Sequence, residues 1–278
     1  MKKPVFTGSA TALVTPFTDR GVDYDRLAAA PTGEAATLSE AERASIIEFT
    51  AVYTRSRMKV IAGIGGNDTL AAANAARRAE RLGADALLLT TPFYNKASSE
   101  GIVRHFAYVA EHSELPLIVY NVPGRTGVSC TPEHYARLAE IPRINGVKEA
   151  SGDISLVSRT RHLCGDALNV WSGNDDQTLP MLALGAKGVI SVASNIVPQV
   201  MATLCATALS GDFFTARAIH EAYAGLFDAL FYEVNPIPVK TAMQMLGWDS
   251  GRLRLPLCPM AEGNAAKLQN CLESLQLL

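Results

Sequence analysis

The 278-residue sequence has little of what several protein classes require. Its five cysteines, Cys130, Cys164, Cys205, Cys258 and Cys271, are odd in number and show no CxxC spacing. That excludes a disulfide framework and a zinc ribbon, and predicts reduced thiols. The five histidines fall in helical stretches with no metal-like pairing, so no metal is expected. Lys and Arg number 25 against 27 Asp and Glu, a formal charge of -2, which offers no basic field to nucleic acid and no polybasic patch to a membrane surface. No apolar run approaches the roughly 18 residues of a membrane span. The opening Met1-Lys-Lys-Pro-Val-Phe-Thr-Gly-Ser-Ala10 has two lysines but no apolar stretch behind them, so a secretory signal is not expected and a cytoplasmic protein is. What remains is 48% hydrophobic and 19% charged, the composition of an ordinary globular chain with a large core.

The organisation is repetitive. Short apolar runs at 9–14, 59–63, 86–91, 116–121, 144–149, 168–173 and 188–192 predict seven strands, most of them separated by helical stretches. The runs are continuous rather than alternating, as in a parallel sheet covered on both faces. Ser39, Asp68, Ser98, Thr131 and Asp153 stand where helix N-caps belong. Repeated βα units at this length predict a (β/α)8 TIM barrel ahead of an open doubly wound sheet. Past Ser210 no strand pattern follows, and 212–232, 236–246 and 259–275 read as helices. The expected division is therefore a barrel over 1–211 and a C-terminal helical region over 212–278. One element is missing from the pattern: no run between 9–14 and 59–63 reads as the second barrel strand.

In such a barrel the chemistry sits at the C-terminal ends of the strands. A single lysine, Lys148, occupies a strand there, in Ile144-Asn-Gly-Val-Lys-Glu149. An amine attacks a ketone only in its neutral form, and desolvation at a strand end favours that form. The alternative is a structural lysine paired with a carboxylate such as its neighbour Glu149. Tyr120 ends the run Pro116-Leu-Ile-Val-Tyr120, where a phenol can pass a proton or simply pack. Arg125, in Gly124-Arg-Thr-Gly127, offers a planar fork for a carboxylate or else a solvated loop cation. Thr32-Gly33-Glu34 offers a hydroxyl and backbone N–H groups to an anion.

Taken together, Ala12-Leu-Val-Thr-Pro-Phe17, Thr32-Gly-Glu-Ala-Ala-Thr-Leu38, Thr91-Pro-Phe-Tyr-Asn95, Tyr120-Asn-Val-Pro-Gly-Arg-Thr-Gly127, Val147-Lys-Glu-Ala-Ser-Gly152, Gly188-Val-Ile-Ser-Val192 and Asn235-Pro-Ile-Pro-Val-Lys240 resemble the dihydrodipicolinate synthase family of the N-acetylneuraminate lyase superfamily. The resemblance implies a class I enzyme in which Lys148 forms a Schiff base with pyruvate. Tyr120 then acts in proton transfer, and Tyr94 completes a relay by reaching into a neighbouring subunit's site. Thr32 helps hold the pyruvate carboxylate, while Gly173 and Ile190 line the pocket. Arg125 binds the carboxylate of aspartate semialdehyde, which favours the synthase of lysine and diaminopimelate biosynthesis over a sugar-acid lyase. No cofactor is implied, since the lysine is the electron sink, and a homotetramer built as a dimer of dimers is. The alternatives are a related 2-oxo-acid aldolase or lyase, and a catalytically weak paralogue that binds an oxo acid.

The sequence departs from the family in two places. Pro31 stands where the relay threonine belongs, and a stretch corresponding to most of the first helix and the second strand is absent. The family's lysine-feedback site maps onto Ala35, Ala36, Glu40, Arg43, Asn67, Ala71 and Phe93, where most of the polar contacts the resemblance implies are gone, so weak or no inhibition by L-lysine is expected.

Overall fold

A computed structural model of the chain describes residues 1–27 and 34–278. Its strands are β1 (Gly8–Thr11), β2 (Phe17–Thr18), β3 (Gly21–Val22), β4 (Ile61–Gly63), β5 (Ala86–Thr90), β6 (Leu117–Asn121), β7 (Ile144–Glu149), β8 (Asn169–Ser172) and β9 (Gly188–Ser191). The helices between β3 and β6 are α1 (Tyr24–Leu27), α2 (Glu40–Thr54), α3 (Thr69–Arg81) and α4 (Ser99–Ala110). Those that follow β6 are α5 (Pro123–Thr126), α6 (Pro132–Ala139), α7 (Ile154–Cys164), α8 (Thr178–Ala183) and α9 (Pro198–Leu209). The chain ends on α10 (Phe213–Ala229), α11 (Ile237–Met245) and α12 (Glu262–Ser274). This is an α/β fold with a helical C-terminal part, and after Ser210 the described residues hold no strand.

Local chemistry explains the helix starts. Asp68, Ser98 and Asp153 accept hydrogen bonds from the backbone N–H groups of Ala71, Gly101 and Leu156. Ser39 and Thr131 form reciprocal capping boxes with Glu42 and His134. All five caps expected from sequence are used, each satisfying N–H groups that a helix leaves unpaired.

The chain forms two compact units. The first comprises Met1–Thr7 and Arg43–Gly188. Here β4, β5, β6, β7 and β8 pair in parallel, each with the next. Leu87 and Leu89 of β5, Leu117 and Val119 of β6, and Val147 of β7 pack with Phe106, Val109 and Leu138 from the helices in one buried core. Alternation along each strand then sends Leu88, Tyr120 and Lys148 to the opposite face. The parity is reset once. Leu117 pairs with Ile144 but Ile118 pairs with Gly146, so Asn145 is an extra residue. Ile144 and Val147 consequently share the helix-facing core although they are three residues apart.

The second unit comprises Gly8–Glu42 and Val189–Leu278. The Ala12 N–H donates to the Ser191 carbonyl at 2.7 Å, and Asn195 Nδ2 donates to the Ala12 carbonyl at 2.8 Å. α9 and α12 pack against α10, and α11 packs against α12. β2 and β3 form a tight antiparallel hairpin, pairing Phe17 with Val22 and Thr18 with Gly21, which the sequence patterns did not reveal. Between β3 and β4 the described residues form helices and turns only. Pro31, Thr32 and Gly33 lie outside the described residues.

Two lysines of the fold are nearly or wholly buried. Lys240 of α11 is 0% exposed. Its Nζ lies 2.7 Å from Glu34 Oε2 and 2.9 Å from the Thr15 carbonyl, and it stands 4.4 Å from the centre of the Phe17 ring. Arg254 stacks on the same ring at 4.2 Å and forks onto the Glu42 carboxylate. That guanidinium holds the Glu42 carboxyl down to about 2. The other buried lysine is Lys148.

Candidate active site

Lys148 and Tyr120 are partners in the β6–β7 ladder, so both side chains leave the same face at adjacent positions. Lys148 is 5% exposed, and its Nζ stands 4.3 Å from the centre of the Tyr120 ring. A ring face stabilises a cation, whether a resting ammonium or an iminium, without the grip of a carboxylate. Among the described residues Lys148 has no ion pair and no side-chain hydrogen bond.

Glycines make the room around it. Gly146 precedes Lys148 by two residues on the same face, and a Cβ there would come within 2.6 Å of Trp171 Cζ3. The indole of Trp171, the β8 partner of Lys148, therefore lies over Gly146. Its ring stacks on Phe6 with centroids 5.2 Å apart, and its Nε1–H donates to the Phe6 carbonyl at 3.2 Å. At Gly173 a Cβ would meet Ala150 Cβ at 2.6 Å and Lys148 Cε at 3.1 Å. Any larger residue would press on the lysine stem.

The pairing of Lys148 with Glu149, the structural alternative open at the level of sequence, is not made. Glu149 is the next residue on a strand and points to the helix-facing side. Its Oε1 accepts from Asn121 Nδ2 at 3.0 Å and from the Ser151 N–H at 2.8 Å. Its Oε2 accepts from Asn121 Nδ2 at 3.1 Å and from the Tyr135 hydroxyl at 2.5 Å. Burial raises the Glu149 pKa, opposed by those hydrogen bonds. The Tyr135 hydroxyl is pushed well above its ordinary value by burial and by the Glu149 charge, so it stays a donor. Burial and the same charge push the Cys130 thiol up to about 12.

Arg125 is exposed in the turn that follows β6. The turn is held from within. Thr91 Oγ1 donates to Thr126 Oγ1 at 3.1 Å, and the Arg125 N–H donates to the Val122 carbonyl at 2.9 Å. Tyr94 is 89% exposed, with a left-handed φ of 66°. Beside it, Asn95 latches the loop to Asn67 through Nδ2 and the Asn67 carbonyl at 2.9 Å. Ile190 is buried in β9, in the second unit. The first unit thus brings Lys148, Tyr120 and Gly173 together, while Thr32 falls outside the described residues.

The sequence pattern of the dihydrodipicolinate synthetase family matches residues 25–275. The chain belongs to that family. It is 44% identical to the 4-hydroxy-tetrahydrodipicolinate synthase of Geobacter sulfurreducens, an alignment covering 99% of this chain and 100% of that one. A crystal structure of the chloride-inhibited dihydrodipicolinate synthase from Acinetobacter baumannii complexed with pyruvate superposes with a TM-score of 0.95 at 39% identity, covering 98% of this chain and 100% of that one. A structure described as the first monomeric dihydrodipicolinate synthase variant gives a TM-score of 0.95 at 40% identity, covering 99% of this chain and 98% of the other.

Within this dihydrodipicolinate synthetase family member, sequence reasoning missed Glu149, Asn121 and Tyr135 as a group. One signal was available. Adjacent residues on a strand face opposite ways, so Lys148 and Glu149 could not have served each other. No such rule points to Tyr135, which approaches Glu149 from a helix.

Proposed function

We propose that this chain is a 4-hydroxy-tetrahydrodipicolinate synthase, condensing pyruvate with aspartate semialdehyde on the route to lysine and diaminopimelate. The observation that carries this reading is Lys148, buried at a strand end beside Tyr120 with, among the described residues, nothing of opposite charge holding its amine. The neutral amine attacks the pyruvate ketone, and the carbinolamine loses water to give an iminium. Loss of a methyl proton then yields an enamine that adds to the aldehyde carbon. Tyr120 passes protons at the carbinolamine, Thr32 holds the pyruvate carboxylate, and Gly173 and Ile190 line the pocket. Arg125 receives the carboxylate of the aldehyde, and its exposure on a turn braced by Thr126 supports that role.

The same reading takes the strands as a (β/α)8 barrel over 1–211, with a helical region over 212–278. The βα succession from β4 to β9 and the run of helices after Ser210 support it. It takes the enzyme as a cytoplasmic homotetramer needing no metal or organic cofactor. The 89% exposure of Tyr94 supports an interface there, since a phenol thrust into solvent is suited to reach another copy. Sedimentation analysis tests the assembly, and a monomer would overturn it.

A specific observation favours a second reading, a related 2-oxo-acid aldolase or lyase. Pro31 has no hydroxyl to relay a proton. Reduction with borohydride in the presence of pyruvate should place the adduct on the peptide bearing Lys148, and its absence rules out both readings. Turnover with pyruvate and a panel of aldehydes then separates them: aspartate semialdehyde preferred supports the synthase, and a sugar-derived aldehyde preferred supports the second reading.

A further inference from the structure

Lys148 faces the same side as Tyr120 only because β7 carries one extra residue. Ile144 belongs to the helix-facing core, and in an unbroken strand Lys148, four residues on, would point the same way. The bulge at Asn145 reverses that parity. It is secured from several directions. Asn145 Oδ1 accepts from the Val5 N–H at 3.3 Å, its Nδ2 donates to the Lys3 carbonyl at 2.9 Å, and Asn169 Nδ2 donates to the Asn145 carbonyl at 3.1 Å. A bulge held only at its origin leaves the far end of the strand free to slip, and a one-residue slip transfers a side chain to the other face.

The far end has its own fastening. Asn121 and Glu149 are the ladder partners immediately after Tyr120 and Lys148. Asn121 Nδ2 reaches both oxygens of Glu149, while Asn121 Oδ1 accepts from the Cys130 N–H at 3.0 Å. Tyr135 and the Ser151 N–H complete the carboxylate. These partners are all donors, so the group is built to accept, and they tie β6, β7, α6 and the loop after β7 to one point on the side remote from the amine.

We propose that Glu149 is a positioning residue of the reaction, fixing the β6–β7 register at the pair that carries Tyr120 and Lys148. The role rests on the reading that Lys148 forms the Schiff base. Its energetic weight is in geometry, since a displacement of about 1 Å at a reacting group can slow a reaction ~100-fold.

The test is the rate of pyruvate-dependent borohydride trapping at saturating pyruvate, with the modified lysine mapped by mass. Glu149→Gln turns an acceptor into a donor facing donors, and the trapping rate should fall between about tenfold and ~100-fold. Asn121→Asp sets two carboxylates face to face and should fall at least as far. The exchanged pair Asn121→Asp/Glu149→Gln restores one donor against one acceptor and should regain part of the lost rate. A merely structural contribution predicts instead that the trapping rate of soluble variants stays at the wild-type value while only the thermal midpoint moves. Tyr135→Phe retains the Asn121 contacts and serves if Glu149→Gln does not fold, with a loss of a few-fold expected. Wild-type trapping rates in Tyr135→Phe or Glu149→Gln, or no recovery in the exchanged pair, would overturn the proposal. If the wild-type protein gives no adduct at Lys148, the Schiff-base reading itself fails and takes the positioning role with it.

Discussion

Lys148 and Lys240 are both buried, 5% and 0% exposed, and their surroundings differ in kind. Lys240 has a carboxylate at 2.7 Å, a carbonyl at 2.9 Å and an aromatic face at 4.4 Å. Lys148 has an aromatic face at 4.3 Å and, among the described residues, no anion. A buried ammonium that has been satisfied is a structural part, because loss of either partner strands a charge away from water. A buried amine with only a ring beside it is held loosely enough to react. The nearest carboxylate in sequence to Lys148 is engaged elsewhere, by Asn121, Tyr135 and Ser151.

The sharpest way to break this contrast is to remove each amine in turn. Lys148→Met should abolish turnover by at least ~1,000-fold, since the nucleophile is gone, and should leave the urea midpoint unchanged or raised because no partner is stranded. A substantial loss of stability would mean that Lys148 is a structural lysine after all. Lys240→Met should do the reverse in kind, destabilising the fold by about 3–5 kcal/mol as Glu34 is left charged and buried. Adding Glu34→Leu to it should recover much of that loss. A Lys240→Met protein as stable as wild type would erase the distinction between the two lysines.

Smaller effects sharpen the comparison. Tyr120→Phe keeps the ring face but removes the proton, and should lower kcat by roughly 100-fold without moving the melting point. An unchanged kcat would reduce Tyr120 to a packing residue. Arg254, on the ring shared with Lys240, gives the smallest effect. Because the Glu42 carboxyl is held down to about 2 in the fold, its contribution is present above the ordinary carboxylate range and is lost as pH falls toward about 2. Both side chains are about a quarter or more exposed, so Arg254→Met should flatten that acid limb by less than about 1 kcal/mol. Acid titrations of stability that superpose for the two proteins would show the pair contributes nothing.

Much of this is legible in the sequence. The apolar runs located β5 to β9 within a residue or two, because strands covered on both faces must be apolar throughout. The caps at Asp68, Ser98 and Asp153 announced their helices by local chemistry alone. The β2–β3 hairpin escaped notice because two-residue strands have no periodicity to detect. Lys148 and Tyr120 were legible as chemistry at strand ends. The contacts that set the two buried lysines apart were not, because Glu34 lies 206 residues from Lys240 and Asn121 28 from Glu149. A single sequence records such meetings nowhere, and the parity change at Asn145 looks like any other strand residue.

Trp171 gives the protein an optical handle on its own chemistry. The chain has two tryptophans. Trp248 is 44% exposed, whereas Trp171 is fully buried beside the strand of Lys148 and is its ladder partner. The two indoles therefore stand in contrasting environments, and blue-shifted emission is expected from the buried ladder partner of Lys148. Pyruvate capture, or strain in the β7–β8 pair, can be followed as a change in that component without any added label.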